Sequence, residues 1–331
     1  RPNMPVHDLG FRHWEGKRTP AWLRPWFVAR SGGSPVWRRR WLRTMLMLAW
    51  MPIVVPALGI FIFEYSFTEP EMRGAVVQML RGPMGRPDLA MAALEDPESI
   101  RHEFWSILIL AFFRYPQLTA MVLLVGLIAP MLVSYDLRSK AYLLYFSRPL
   151  SPSEYILGKS AVVWFFLAGI VTVPAMVLYV AGVLLSPSLS VVAETWDLPL
   201  RILAASGVLL IPTTALAMSY SSLTSESRYA SFAWFATWVM GFVAYQFLTW
   251  MGVSELPGRR RGRGPNWDEL DVDFDRWRLL SPYHTLGKVE NWIFGLDKTD
   301  GSVWPALALL AVVTICGMLF VRHRLIARLS V

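Results

Sequence analysis

Two short segments of the sequence resemble the start of a chemical site, and both lack a residue that the chemistry needs. Segment 158–160 reads Gly-Lys-Ser, the end of a phosphate-binding P-loop, but Ser153 stands where that motif needs its first glycine. The alternating acids of segment 271–275 have the spacing that opens a calcium-binding loop. Arg276 and Pro282 occupy the positions where such a loop needs glycine and glutamate. The sequence therefore predicts neither a nucleotide site nor a calcium site.

Histidine and cysteine give no pattern for catalysis or metal binding. No two of the five histidines have the spacing of metal ligands on one helix. The single cysteine, Cys316, lies in an apolar run and excludes a disulfide framework within this sequence. No Asp or Glu lies in the middle of an apolar stretch, which argues against a proton relay. We expect no catalytic residue, no metal site and no cofactor on this chain.

The long apolar blocks that separate these segments define the fold class. Hydrophobic residues make up 54% of the chain and charged residues 17%, whereas soluble domains have about 45–50% and about 25%. A helix needs about 20 apolar residues to cross the hydrocarbon core. Six stretches without Asp, Glu, Lys or Arg meet or approach that length: 45–63, 117–134, 160–185, 202–225, 229–254 and 302–321. We predict an all-α integral membrane protein with about six transmembrane helices, because backbone groups in lipid must pair within their own segment.

A seventh apolar block, Phe104–Phe113, is too short to cross a membrane alone. Pro116 follows it and disfavours a continuous helix into the second stretch. We therefore predict that this block lies in the membrane interface. The soluble parts are then an arm (1–44), an outer loop of about 40 residues and an outer segment (255–301), attached to a membrane domain over 45–331.

Basic residues are concentrated on one side of the predicted membrane domain. Six helices place both termini on the same side. The segments on that side, 1–44, 135–159, 226–228 and 322–331, hold 18 Lys and Arg against 5 Asp and Glu, and the rest of the chain holds 14 against 19. The positive-inside bias therefore places both termini in the cytoplasm. The arginines of segment 259–263 argue the other way, but they lie in a long outer loop, where the bias is weaker.

The arm, residues 1–44, mixes tryptophan with arginine and lysine. Some nucleic-acid-binding segments have the same composition. Because the arm is attached to six apolar stretches, we expect an amphipathic helix on the membrane surface in contact with lipids, and no nucleic-acid partner.

Loop 135–159, between the second and third stretches, has the clearest local signals. Ser151 and Glu154 form a capping box with proline at the first helical position, which predicts a helix that runs into the third stretch. Segment 137–146 mixes apolar and basic residues and predicts a short surface helix that ends before Pro149. Such a helix–break–helix element can dock a partner protein. The alternative is a solvated basic loop that only sets topology.

This loop resembles that of the ABC-2 type transporter permeases, the membrane subunits of ABC exporters. Asp136 is followed by Leu-Leu-Tyr-Phe-Ser-Arg-Pro-Leu-Ser at 143–151 and Tyr-Ile-Leu-Gly-Lys at 155–159. The family has a similar D…LLLSRP(V/L)S…(Y/I)LLGK pattern between its second and third helices. The layout of the whole chain is also similar, whereas the motif covers about 25 residues. A second acid and a Gly-Thr pair of the family are replaced here by Leu137 and by segment 141–142, which leaves the substrate open.

The resemblance implies an ABC-2 exporter-like subunit in the bacterial inner membrane, with two partner chains. One is a cytoplasmic ABC ATPase subunit, which would hold the ATP and magnesium, and the other is a second permease copy or homologue. The implied contacts with the ATPase are Asp136, Arg138, Arg148, Ser151, Glu154 and Lys159. The expected function is export of a hydrophobic or amphipathic substrate.

Two other functions remain open from the sequence. A structural or assembly subunit of a larger membrane complex would need no ATPase. A membrane enzyme acting on lipids would need clustered His, Asp or Glu at an interface, and the sequence indicates no such cluster.

Overall fold

The computed structural model describes residues 20–146, 150–254, 274–297 and 301–329, and all regular secondary structure within these ranges is helical. The helices in chain order are α1 (Arg24–Arg38), α2 (Arg40–Leu48), α3 (Val54–Tyr65), α4 (Arg73–Arg81), α5 (Pro87–Glu95), α6 (Arg101–Phe112), α7 (Leu118–Leu132), α8 (Ser134–Arg138), α9 (Ala141–Phe146), α10 (Pro152–Ile170), α11 (Thr172–Leu185), α12 (Val191–Glu194), α13 (Leu198–Leu223), α14 (Ser227–Ser254), α15 (Phe274–Arg278), α16 (Pro282–Ile293) and α17 (Trp304–Leu329). The predicted all-α class is thus confirmed for the described residues.

Within these ranges, six helical segments are long and apolar enough to cross a membrane, which confirms the predicted number. In chain order they are span 1 (Arg40–Tyr65), span 2 (Glu98–Arg138), span 3 (Pro152–Leu185), span 4 (Leu198–Leu223), span 5 (Ser227–Met251) and span 6 (Trp304–Ala327). Spans 2 and 3 hold 41 and 34 residues. At about 1.5 Å per residue, both are longer than the ~30 Å hydrocarbon core.

Successive spans run in opposite directions. Spans 5 and 6 follow the same rule and are joined through an outer segment. At one end, called the arm end because α1 lies there, the backbone N–H and the hydroxyl of Ser134 in span 2 donate hydrogen bonds to the hydroxyl and the carbonyl oxygen of Ser221 in span 4. At the other end, called the far end, Gly182 of span 3 lies against the indole of Trp105 in span 2. The first span therefore begins, and the sixth ends, at the arm end.

The predicted interfacial helix over Phe104–Phe113 is wrong. Helix α6 continues into α7 through one π-helical turn, Phe113–Gln117, so that this block forms the far half of span 2. A proline ring clashes with the carbonyl four residues earlier in an α-helix, and proline has no N–H to donate. In the π-turn the backbone hydrogen bonds join residues five apart, and the helix continues from α6 into α7 through this turn.

The arm helix α1 packs along α10. The Cα of Gly158 lies so close to α1 that an added Cβ would be 2.7 Å from the carbonyl oxygen of Pro25. Val28 is buried in this contact, while Trp22 and Trp26 on the other side of the helix are exposed. The exposed indoles agree with the predicted membrane-surface position, and residues 1–19 of the arm lie outside the described ranges.

Span 2 lies at the centre of the bundle and spans 5 and 6 lie at its edge. In the most apolar part of span 2, 61% of the residues are buried, against 11% in each of spans 5 and 6. The outward faces of the two edge spans carry large apolar side chains, for example Phe232, Phe247 and Leu319. Apolar faces of this size are compatible with lipid or with another membrane helix.

Candidate functional site

The loop between spans 2 and 3 is the candidate site. The short helix predicted over 137–146 is divided into two, and the predicted break at Pro149 lies outside the described ranges. Helices α8 and α9 are separated by a turn in which Lys140 has a positive φ of 55°. A residue other than glycine rarely adopts this left-handed backbone conformation, and it does so where the surrounding structure stabilises it. Residues 147–149, and with them Arg148, lie outside the described ranges.

The capping box is confirmed. The backbone N–H of Glu154 donates to the Ser151 hydroxyl at 3.2 Å, and the Ser151 N–H donates to the Glu154 carboxylate at 2.7 Å. Pro152 occupies the first helical position, where a missing N–H leaves no hydrogen bond unmade. Arg24 of the arm lies 3.6 Å from the same carboxylate. The start of α10 is thus fixed both to its own backbone and to the arm.

A buried ion pair joins the loop to span 3. Lys159 Nζ lies 2.6 Å from Asp136 Oδ2, and the Tyr155 hydroxyl donates to the same oxygen at 2.7 Å. The side chains of Lys159 and Asp136 are only 3% and 10% exposed. Tyr145 and Tyr155 place their rings 5.5 Å from the ammonium. Asp136 and Lys159 were expected to contact the ATPase subunit. They are instead buried and paired with each other, and they thereby join α8 to α10.

The other predicted contact residues are more accessible. The side chain of Arg138 is 66% exposed, with a guanidinium nitrogen 3.5 Å from Glu226 of the turn between spans 4 and 5. Ser151 is exposed. The structure therefore brings together Asp136 with Lys159 and Ser151 with Glu154, and it leaves Arg138 on the exposed side of the loop.

The sequence did not predict a set of ion pairs at the far end. Arg101, which is buried, lies 3.3 Å from Glu64 of span 1 and 2.8 Å from Glu194 of α12. Trp105 donates its indole N–H to Glu64 at 3.0 Å. The guanidinium of Arg101 also covers the ring of Phe67 at 4.4 Å. These contacts fasten span 1, span 2 and α12 together.

A second far-end cluster joins spans 2 and 4. His102 and Arg201 both bind Asp197, at 2.9 Å and 2.5 Å, and Arg201 donates to the carbonyl of Ile293 at 2.6 Å. Burial acts to raise the pKa of Asp197, but the hydrogen bonds from Arg201 and His102 outweigh it and lower the pKa below its usual value. Asp197 therefore stays ionised and keeps both partners in place.

A third far-end pair joins span 2 to α16. Arg114 of span 2 lies 3.4 Å from Glu290 of α16, whose side chain has no exposed surface. The guanidinium donates to the Tyr283 carbonyl at 2.8 Å and covers the Tyr283 ring at 3.9 Å. Gly287 leaves the space that the guanidinium fills. Burial raises the pKa of Glu290 to about 7, against the lowering effect of Arg114.

Arg114 also lines a cavity of about 590 Å³ at the far end. Its walls combine leucine and isoleucine side chains of α6 with the rings of Tyr245 and His284, which stack with centroids 3.6 Å apart. Burial and the nearby arginines Arg114 and Arg278 lower the pKa of His284 to about 4, so this imidazole is neutral at neutral pH. A cavity of this kind can hold an amphipathic molecule.

These clusters were missed because the charged residues flank the apolar stretches. Glu64 directly follows the first predicted stretch, and Arg201 and Lys159 directly precede the fourth and the third. The predicted stretches end at the first charged residue, so the sequence predicts that each of these charged residues faces solvent. Such pairs are predicted where a charged residue borders one long apolar run and an opposite charge borders another.

No family model matches the sequence, and no curated protein matches it. The class of protein therefore follows from fold and composition alone. An all-helical fold, over the described residues, with six helices that can cross a membrane fits a multi-pass membrane protein.

Proposed function

We propose that this chain is the membrane subunit of an ATP-driven exporter of the ABC-2 type. In this proposal the ATPase is a separate cytoplasmic chain that holds ATP and magnesium, and this chain is not an enzyme. The cargo is a hydrophobic or amphipathic molecule, and the protein lies in a bacterial inner membrane.

The orientation is supported by the charge distribution around the observed spans. The arm end carries the arm, loop 135–159 and the C-terminal tail, whose 13 excess positive charges favour the cytoplasm. Both the first and the last span have their terminal ends there. An ATPase subunit would then have access to the exposed side of the loop.

The observation that carries the proposal is the buried pair of Asp136 and Lys159. A loop that is only solvated does not need an ion pair with a separation of 2.6 Å that is removed from water. Together with the Ser151–Glu154 capping box, the pair ties α8 to the start of the third span. A push on the exposed face, near Arg138, would therefore move α10 as a body instead of being absorbed by the loop.

The proposed cargo is supported by the character of the surfaces along the spans. The far-end cavity combines apolar side chains with three guanidinium groups and several aromatic rings, which suits a molecule with an apolar part and a polar, anionic part. Spans 5 and 6 expose apolar faces that could contact a second permease copy, so we propose a dimer.

The test is affinity purification of the tagged protein in mild detergent, with identification of the chains that co-purify and an ATPase assay. We expect a stoichiometric P-loop ATPase. Its retention should fall when Arg138 and Lys140 are both replaced by Glu, because these cations lie on the exposed side of the loop.

The matched control replaces Arg43 and Arg322, which are equally exposed at the arm end but lie outside the loop, by Glu. Retention of the ATPase by the control and its loss from the loop variant supports docking on the loop. Co-purification of the subunits of some other complex, without an ATPase, would instead favour a structural or assembly role.

A further inference from the structure

A second cavity, here called the arm pocket, lies at the arm end. It is bounded by the junction of α1 and α2, by the arm-end turns of α7 with α8 and α9, and by the first turn of α14. Its volume is about 610 Å³, which is enough for the headgroup and upper chains of a lipid. The pocket opens beside the arm, where exposed tryptophans indicate the membrane surface.

Four cationic side chains and one carboxylate line the arm pocket. The carboxylate, Asp136, neutralises Lys159, and a second cation, Arg138, lies 3.5 Å from Glu226 just outside. The lining therefore has more positive than negative charge even after these two pairs are counted.

The excess charge belongs to Arg39 and Arg228. Among the residues that the structure describes, neither arginine has a carboxylate within 4 Å. Arg39 precedes α2, and Arg228 lies in the first turn of α14 with its guanidinium 5.5 Å from the Tyr229 ring. Two arginines from different elements thus reach the same pocket without a counter-ion from the described part of the chain.

The uncharged walls divide into a polar and an apolar side. Ser225 and Ser227 line the pocket, and their hydroxyls make no hydrogen bond with any described residue. Span 2 contributes the apolar part of the lining, through Leu127, Met131 and Leu132. The indole of Trp41, at the arm side, is 42% exposed. A ligand that matches these walls has an anionic group with hydrogen-bond acceptors and an apolar body.

We propose that the arm pocket binds one anionic phospholipid, with its phosphate between Arg39 and Arg228 and its acyl chains along span 2. The serine hydroxyls donate to phosphate or headgroup oxygens, and Trp41 packs at the glycerol level. Guanidinium groups suit phosphate because they present several N–H donors in one plane. The bound lipid would bridge the arm, span 2 and the turn between spans 4 and 5.

A phospholipid fits better than a free phosphate ion or an acidic protein segment. A free ion would leave the apolar wall of span 2 in contact with water, at a cost that a lipid avoids. An acidic peptide would have to bury polar backbone against that same wall. Basic pockets between membrane helices at the cytoplasmic surface are a known means of recognising anionic headgroups. The inference does not depend on the proposed ATPase partner.

The test is native mass spectrometry of the purified full chain released from detergent, titrated with phosphatidylglycerol or with phosphatidylcholine of the same acyl chains. We expect one phosphatidylglycerol to bind at least tenfold more tightly than phosphatidylcholine, roughly the effect of two arginines near a membrane surface. Inorganic phosphate at the same concentration should not displace it.

The variant that tests the position is Arg39→Gln with Arg228→Gln, and its control is Arg43→Gln with Arg322→Gln. The control pair removes the same charge from exposed positions at the same end, outside the pocket. We expect the first variant to lose about tenfold in affinity for phosphatidylglycerol and the control to lose much less. Equal losses in both variants, or no preference between the lipids, would overturn the proposal.

Two further outcomes are distinguishable. Displacement of the lipid by inorganic phosphate would make the pocket a site for a soluble anion. Loss of a co-purifying protein from the Arg39→Gln, Arg228→Gln variant, with phosphatidylglycerol binding unchanged, would make it a protein contact. The comparison of the two lipids uses the unmodified protein, so poor folding of the variant leaves that comparison decisive.

Discussion

The pair of Asp136 and Lys159 is the residue contact on which the loop depends, and its energetics are those of desolvated charges. Taking two ions out of water costs several kcal/mol per ion, and their attraction together with the Tyr155 hydrogen bond offsets that cost. Removing one partner leaves the other charge buried without compensation. Asp136 and Lys159 therefore stabilise the fold only while both are present.

We predict that Asp136→Asn lowers the free energy of unfolding by about 3 kcal/mol, because Lys159 stays buried without a counter-charge. The double variant with Lys159→Met should be less destabilised than the sum of the single variants, by about 1–3 kcal/mol. Unfolding in SDS, followed by far-ultraviolet circular dichroism, measures this double-mutant cycle. Strict additivity would mean that the two side chains do not interact in the folded protein.

Glu290 gives a prediction on pH. Since burial raises its pKa to about 7, the folded state keeps a proton that the unfolded state has lost at pH above 4.5. The contribution of Glu290 to stability should therefore fall as the pH rises, by about 1 kcal/mol between pH 6.5 and 8.5. The Glu290→Gln variant lacks this contribution, so the stability of the unmodified protein should fall by about that amount relative to the variant over the same window.

The window is chosen because His284 opposes Glu290 at lower pH. Its pKa of about 4 means that the unfolded state takes up a proton first, so stability rises with pH up to about 6.5. Above pH 6.5 His284 contributes only through the protons that the unfolded imidazole still has to lose, and the comparison with Glu290→Gln cancels this contribution. Thermal unfolding of both proteins across that window measures the difference, and parallel curves would show that Glu290 is ionised throughout.

At the scale of residues, the sequence predicts contacts between residues that are close in the chain and misses contacts between distant ones. The Ser151–Glu154 capping box is a contact between residues 3 apart in the chain, so the sequence alone predicted it. Arg101 and Glu194 are 93 residues apart and meet only when spans 1 and 2 and α12 assemble. Such pairs depend on the order in which helices pack, which a single sequence does not specify.

At the scale of elements, the attachment of the loop to the third span depends on where α10 begins. Ser151 and Glu154 satisfy N–H groups that the first turn of a helix leaves without partners. We predict that Ser151→Ala costs about 1 kcal/mol, the usual value of a lost N-cap. Ser153→Ala is the control, because Ser153 is exposed on the same turn and makes no such hydrogen bond. Equal stability of the two variants in SDS unfolding would contradict the cap.

The contact between α1 and α10 depends on a glycine. A Cβ at Gly158 would lie 2.6 Å from the Val28 Cβ and 2.7 Å from the Pro25 oxygen, so α1 would have to move. We predict that Gly158→Ala loosens α1 and raises amide hydrogen exchange along it, with a loss of about 1–3 kcal/mol. Gly169→Ala on the same helix is the control, because a Cβ there meets nothing within 4 Å. Unchanged exchange in α1 for the Gly158 variant would rule out the close packing.

The predicted elements differed most from the observed ones where proline was the guide. Pro116 predicts a helix end, yet span 2 passes through it by a π-turn. Pro212 lies inside the fourth predicted stretch, and its helix does run without interruption from Leu198 to Leu223. In apolar helices, neighbouring helices and a local change of hydrogen-bond pattern compensate for the missing N–H, so proline marks an end less well there than in water.

At the scale of the whole molecule, the number of spans was predictable because hydropathy is a property of each stretch alone, and their lengths were not. Spans 2 and 3 are longer than the thickness of the hydrocarbon core. At the far end, the ion pairs of Arg101 and Asp197 fasten span 2 to α12 and to the start of span 4. These ion pairs therefore hold the far-end elements together, whereas the arm end carries loop 135–159 and the arm pocket.

The orientation of this arrangement in the membrane is the last prediction, and the proposed ATPase contact depends on it. In a Cys316→Ser background, a cysteine at Ser188 lies at the far end and one at Ser139 lies in the loop at the arm end, and both positions are exposed. Because the arm end has the excess of Lys and Arg, we expect a membrane-impermeant maleimide to label Ser188→Cys in intact cells. Ser139→Cys should react only after the membrane is permeabilised. The reverse pattern would place loop 135–159 outside the cell, where no ATPase could reach it, and would remove the exporter proposal while leaving the six spans unchanged.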